Sequence, residues 1–210
     1  MSRQPLKVEA PELRLEPEQV TEPFAWADVF PTDGPVEIEI GIGKGRFILD
    51  AAEKRPSILH LGVEWANKYL RFAEARAQRR GLENIRFVRV DARELMPCVP
   101  SGSVQAFYVF YPDPWPKKRH HKRRFLREDM AAELARTLVD GGKLHVATDH
   151  DAYWEALQPV FDEQPGFARQ EHFGGPEFPV AEGQPLTHFE IKYEVEERRR
   201  HRATWVRSSV

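Results

Sequence analysis

The sequence predicts a doubly wound α/β fold: a mostly parallel sheet with helices on both faces and an antiparallel strand pair at one edge near the C-terminus. Three observations predict it. From residue 35 to 163, short apolar runs alternate with segments whose apolar residues recur at helical spacing. Single helices separate the runs, as the crossovers of a parallel sheet require. After Gly166 the helical pattern stops, and two strand-like runs are joined by a Gly- and Pro-rich loop.

The elements follow in order. VEIEI (36–40) reads as the first strand, and Arg46–Lys54 as a short helix ended before Pro56. ILHLGVE (58–64) is the second strand. Ala66, Tyr69, Leu70, Ala73 and Ala77 then mark a helix closed by Gly81. IRFVRV (85–90) and SVQAFYVF (103–110) are the third and fourth strands. Met130, Leu134 and Leu138 form a helical stripe stopped by Gly141 and Gly142. KLHVAT (143–148) is the fifth strand and Ala152–Glu163 the last helix. FARQEHF (167–173) and THFEIKYEV (187–195) are the expected antiparallel pair. Residues 1–34, rich in Pro and Glu, read as a loosely structured acidic arm, able to pack on a single domain of residues 35–210.

With 210 residues, 41% hydrophobic and 30% charged, the chain can bury a core without disulfides or a metal. Its single cysteine, Cys98, excludes an internal disulfide framework. No apolar run approaches the roughly 18 residues of a membrane span, and the N-terminus lacks a signal-type apolar core. No membrane association and a cytoplasmic location are the expectation. Net charge is −2, but its distribution is uneven. Residues 1–40 hold nine acids against three bases, whereas residues 117–127 hold seven Lys or Arg and no acid. A polyanion responds to such a local field rather than to the net charge.

EIGIGKG (39–45) joins the first strand to the first helix. Gly41, Gly43 and Gly45 allow a tight turn and close approach of a ligand at the carboxyl end of the sheet. A dinucleotide site would carry G-x-G-x-x-G facing a pyrophosphate. The spacing here differs, and Glu39 would repel a pyrophosphate. An acid there suits the cationic amino acid end of S-adenosylmethionine, which points to methyl transfer and away from nicotinamide chemistry. Glu64 ends the second strand, where a carboxylate can accept both hydrogen bonds of a ribose diol. Asp91 ends the third, within reach of an adenine edge. Each acid alone is equally consistent with a solvated strand end; the three together favour a nucleoside ligand.

The fourth strand runs into Tyr111-Pro112-Asp113-Pro114-Trp115-Pro116, in which three prolines stiffen the backbone around a carboxylate and an indole. Trp115 offers a flat surface for a base or the cofactor; its alternative role is to cover the sheet edge. Lys117, Lys118, Arg119, His120, His121, Lys122, Arg123 and Arg124 follow at once. Set between a stiff turn and a helix, this run reads as a phosphate-binding patch. The adjacent histidines belong to it rather than to a metal site, because no cysteine or acid completes a ligand spacing.

EIGIGKG, LGVEW, RVDA, PDPWPKKRHHKRR, ATDH and THFE together resemble the bacterial tRNA (guanine-N7-)-methyltransferase family, a class I S-adenosylmethionine-dependent group with a Rossmann-like fold. The resemblance runs from about residue 35 to the end. It implies methyl transfer from S-adenosylmethionine to N7 of guanine 46 in the tRNA variable loop, by a monomer or homodimer. It implies cofactor contacts from Glu39, Glu64, Asp91 and Asp113, beside Gly41 and Gly43. It implies substrate contacts from Lys117, Asp149, Thr187, His188, Phe189 and Glu190, with Glu190 on the donor edge of guanine. Arg119, His120, His121, Lys122, Arg123 and Arg124 become the RNA-contacting run. Core packing by Phe189 and strand capping by Thr187 remain alternatives. Guanine N7 carries a lone pair and no proton, so the expected catalytic group, Asp113, orients the base and stabilises developing positive charge instead of removing a proton. Two other classes compete: a methyltransferase acting on exocyclic amines, from which the interposed Asp113 and Trp115 depart, and an RNA-binding protein without catalysis. The acidic arm is read as a competitor of RNA for the basic patch.

Overall fold

In the computed structural model, residues 13–175, 178–181, 184–187, 190–191 and 199–208 are described. Eight strands among them form one sheet: β1 (Arg14–Leu15), β2 (Val36–Ile40), β3 (Leu59–Val63), β4 (Ile85–Val88), β5 (Val104–Phe110), β6 (Leu138–Thr148), β7 (Phe167–Arg169) and β8 (His201–Arg207). Their order is β1-β4-β3-β2-β5-β6-β8-β7. β1 to β6 pair in parallel, and β8 lies antiparallel between β6 and β7. The helices are α1 (Trp26–Val29), α2 (Arg46–Lys54), α3 (Asn67–Arg79), α4 (Ala92–Leu95), α5 (Glu128–Thr137) and α6 (Asp151–Asp162). Among the described residues no helix is long and apolar enough to cross a membrane.

From β2 the chain steps outward to β3 and β4, then returns to place β5 on the other side of β2. The strand order therefore reverses between β2 and β5, and a crevice opens at the carboxyl ends of these strands. β2 and β3 are buried along their whole lengths, as parallel central strands must be. One face of the sheet packs on α5, α6 and the N-terminal segment through Met130, Leu134, Leu157, Phe161 and Phe30. On the other face α2 and α3 cover β3 and β4 through Ile48, Leu49, Leu70 and Ala73. Over β5 and β6 the cover is a loop, not a helix: Phe173, Phe178, Val180 and Leu186 pack on Phe47, Tyr108 and Phe110.

Three expectations are corrected. The partner of β7 is not THFEIKYEV but HRATWVR. Thr187 lies in a bend, Glu190 and Ile191 have helical backbone, and the rest of that stretch is outside the described residues. β8 owes its central place to its buried residues. Thr204 Oγ1 lies 2.9 Å from His145 Nδ1, and the Trp205 indole N–H donates to Asp162 at 2.7 Å. The Arg-rich stretch preceding it hid this pattern. β6 begins at Leu138, with a register irregularity between Leu138 and Lys143 before the expected strand. Finally, residues 13–34 are not loose. Arg14–Leu15 extends the sheet beside β4, and Leu13, Leu15, Val20, Val29 and Phe30 are buried. Deleting residues 1–34 would thus remove core, so it cannot isolate an effect of the arm on RNA affinity.

Candidate active site

The crevice holds a cleft of about 930 Å³. Its walls come from four strand ends: Glu39–Lys44 with Arg46 and Phe47 after β2, Val63–Ala66 with Tyr69 after β3, Val90–Arg93 after β4, and Val109–Asp113 with Trp115 after β5. Arg123, Phe125 and Thr187 complete it. Glu39, Gly41, Gly43, Glu64, Asp91 and Asp113 therefore meet in one space, although they are spread over 75 positions of sequence.

β2 carries two buried acids of unequal circumstance, of which only Glu39 lines the cleft. Glu37 is buried but compensated: Arg55 binds both its oxygens at 2.8 and 2.6 Å, and the Tyr108 hydroxyl donates at 2.9 Å. Glu39, two residues on and only 3% exposed, keeps one carboxylate oxygen without a partner. Burial pushes its carboxyl up to about 8, with the nearby Glu64 charge adding to the rise and the Ile48 N–H offsetting part of it. A buried unpaired acid is costly, and a cationic ligand would relieve that cost. Above it Gly41 and Gly43 have φ of +79° and +53°, and a Cβ at either would meet nothing within 4 Å. Backbone is thus bared to open space beside an acid with one oxygen unpartnered.

Glu64 holds the loop in shape. One oxygen accepts the Gly43 N–H and the other the Ala66 N–H, both at 2.8 Å, and each oxygen retains a second lone pair. Asp91 caps α4 by accepting the Arg93 N–H at 3.0 Å, and it pairs with the Arg93 guanidinium. That hydrogen-bonded pairing holds its carboxyl below the usual range.

The proline-rich loop is held under strain. Tyr111 and Trp115 adopt φ of 54° and 41°, and each precedes a proline. Left-handed backbone at such residues costs about 1–3 kcal/mol each and persists only when surroundings enforce it. Here they do. The Tyr111 N–H donates to Ala147 at 2.7 Å, and its hydroxyl donates to Glu190. Arg124, only 8% exposed, donates from Nε to the Pro114 carbonyl at 2.8 Å and lies over the Tyr153 ring. Trp115 is backed by the Arg123 guanidinium, 4.9 Å from its ring centre, and by the His120 edge. Asp113, exposed at the apex, faces the cleft.

Two expected contacts find other work. Arg124, read as an RNA contact, clamps the loop from behind. Glu190, expected at the guanine edge, is fully buried: it accepts from Tyr111, from the Leu186 N–H, and from Arg202 at 2.8 Å. Glu190→Ala would strand the Arg202 and Tyr111 donors. It is expected to cost about 3 kcal/mol of stability in urea unfolding, which a loss under 1 kcal/mol would refute. Thr187 lines the cleft; Lys117 and Asp149 lie outside its lining. His188 and Phe189 fall outside the described residues. Lys117, Lys118, Arg119, Lys122 and Arg123 are exposed, on and beside a 3-10 helix over Lys118–Arg123, with His120 and His121 half-buried. Trp65, Tyr69 and Tyr111 also line the cleft, although the sequence assigned them no ligand role and marked Tyr69 only by its helical spacing; Trp65, a large aromatic directly after a strand-end acid, is the one whose place the sequence could have signalled.

This arrangement of strand reversal, bared glycine loop and strand-end acid belongs to a methyltransferase: residues 33–203 match a family model described as "Putative methyltransferase". The chain is 36% identical over 168 residues to a tRNA (guanine-N(7)-)-methyltransferase of Marinobacter nauticus, covering 80% of this chain and 70% of that protein. It is 38% identical over 169 residues to one of Leifsonia xyli, covering 79% and 73%. The chain belongs to the tRNA (guanine-N(7)-)-methyltransferase family. Its architecture is shared more widely: the 16S rRNA methyltransferase KamB superposes with a TM-score of 0.62 at 18% identity, over 88% of this chain and 93% of that one.

Proposed function

We propose that this protein transfers the methyl group of S-adenosylmethionine to N7 of guanine 46 in the tRNA variable loop. The observation that carries the reading is the unpaired Glu39 oxygen beside the open glycine loop, in the cleft that Asp113 also lines. Membership of the family supports the substrate. S-adenosylmethionine supplies an electrophilic methyl group when bound. Glu39 would hold its ammonium end, Gly41 and Gly43 its close backbone approach, Glu64 its ribose and Asp91 its adenine edge.

Because guanine N7 bears no proton, the chain needs no general base. It must instead orient the base and offset positive charge that develops on the ring. We assign both tasks to Asp113, and its strained, clamped loop at the cleft supports the assignment. Lys117, Asp149 and Thr187 hold the nucleotide; Glu190 acts as a positioning residue through Tyr111.

Methyl transfer to an unmodified tRNA transcript, with the modified atom located by nuclease digestion and mass spectrometry, tests the reading. 7-Methylguanosine at position 46 is expected; a methylated exocyclic amine, or no product, would overturn it. The exposed cations of residues 117–123 carry a separate prediction. Each phosphate contact contributes about 0.7–0.9 to the slope of log affinity against log salt. A Lys118→Ala/Lys122→Ala variant is therefore expected to flatten that slope by about 1.5. An unchanged slope would remove the run from the RNA footprint.

A further inference from the structure

Four large apolar side chains are exposed among the described residues, and three of them stand together: Trp65 at 64%, Tyr69 at 40% and Phe72 at 38%. They occupy the turn into α3 and its first two turns. Trp65 and Tyr69 form part of the cleft wall, and Phe72 continues the row outward. Cations frame them. The Arg89 guanidinium lies 5.4 Å from the Trp65 ring centre, and Lys44 Nζ 5.9 Å from that of Phe72. Lys68 and Arg71 are exposed on the same turns of the helix, and no acid occurs from Trp65 to Ala73.

Resting on the proposed tRNA substrate, we propose that this row is a second RNA-binding wall, on which unpaired nucleotides next to the methylated guanine stack while the four cations hold their phosphates. The physics favours this occupant over others. Exposed aromatics interleaved with cations form a sequence-tolerant stacking platform for single-stranded nucleic acid. A second copy of the same face would set these cations against themselves, which disfavours a symmetric dimer here. The row is also continuous with the cleft, whose other wall carries Trp115 and Arg123. RNA would thus be held from both sides of the reacting base.

Arg71 and Phe72 are exposed and lie outside the cleft lining, so they can be replaced without loss of fold. Arg71→Ala/Phe72→Ala is expected to weaken tRNA binding roughly 10-fold in fluorescence anisotropy, with S-adenosylmethionine affinity by calorimetry unchanged. A photo-crosslinking amino acid at position 72 is expected to label tRNA in the loop containing the methylated guanine; one at Glu155, on the opposite face of the sheet, gives the background. Wild-type tRNA affinity in the double variant, labelling no higher than at position 155, or crosslinking to a second copy would each overturn the inference. So would a variant that loses S-adenosylmethionine and not tRNA, since the row would then belong to the cofactor. If the wild-type enzyme does not methylate tRNA at N7, the underlying functional reading fails. If it does and the variants bind normally, only this wall is lost.

Discussion

Replacing Asp113 with alanine is expected to lower methyl transfer at saturating substrates about 100-fold, the usual effect of removing one preorganised group facing developing charge. The affinity for tRNA is expected to change by less than about twofold, because the exposed cations beyond the loop stay in place. The physical case rests on the backbone. Two residues in left-handed conformations, each followed by proline, fix where Asp113 stands, and Arg124 and Glu190 enforce that geometry from opposite sides. Single-turnover kinetics separate the chemical step from binding. Asp113→Asn adds a second test: it keeps hydrogen bonding but removes charge, so it is expected to remain close to alanine in rate. Near-normal turnover in Asp113→Ala would reject the role.

Glu39→Gln is expected to weaken S-adenosylmethionine binding about 100-fold, the scale on which truncating one partner of a buried charge pair acts. It is also expected to abolish a pH dependence that the wild type displays. Without ligand, Glu39 has its carboxyl pushed up to about 8 from an ordinary 4.5. Below pH 8 it is mostly protonated, whereas an ammonium group requires the carboxylate. Binding must then release a proton, and affinity rises about tenfold per pH unit between about pH 5 and 8, levelling off above. The sign for stability is opposite. Between pH 4.5 and 8 the folded protein binds a proton that the unfolded chain does not, so this group lowers ligand-free stability as pH rises through that window. Calorimetry in buffers of different ionisation enthalpy counts the proton directly. Binding that is independent of pH from 6 to 8 would remove Glu39 from the ammonium site.

Much of this was legible along the chain. Helical spacing located α2 and α3, and apolar runs located β2 to β5 within one or two residues. Strand-end acids and glycines marked where a doubly wound sheet must carry its ligand. These signals are local, set by backbone periodicity and by the carboxyl ends of parallel strands. The C-terminal region carried no such signal. THFEIKYEV alternates like a strand, but burying Glu190 against Tyr111 and Arg202 draws its start into a bend. HRATWVR, with a basic residue at either end, takes the strand position because Thr204 and Trp205 find partners on β6 and α6.

PDPWPKKRHHKRR read as one device, a stiff acid followed by a phosphate grip. By itself the sequence determined the chemistry available there: a carboxylate, an indole and a dense positive charge, bracketed by prolines. Only the tertiary structure divided the labour. Arg124 turns inward because the Pro114 carbonyl and the Tyr153 ring offer it partners, whereas Arg123 lies over Trp115 and Lys117, Lys118, Arg119 and Lys122 stay exposed. It likewise separated Glu37, neutralised by Arg55 and Tyr108, from Glu39, which sits on the same strand with an oxygen unsatisfied. Which acid is paired depends on what packs against it from distant parts of the chain, and no local pattern encodes that.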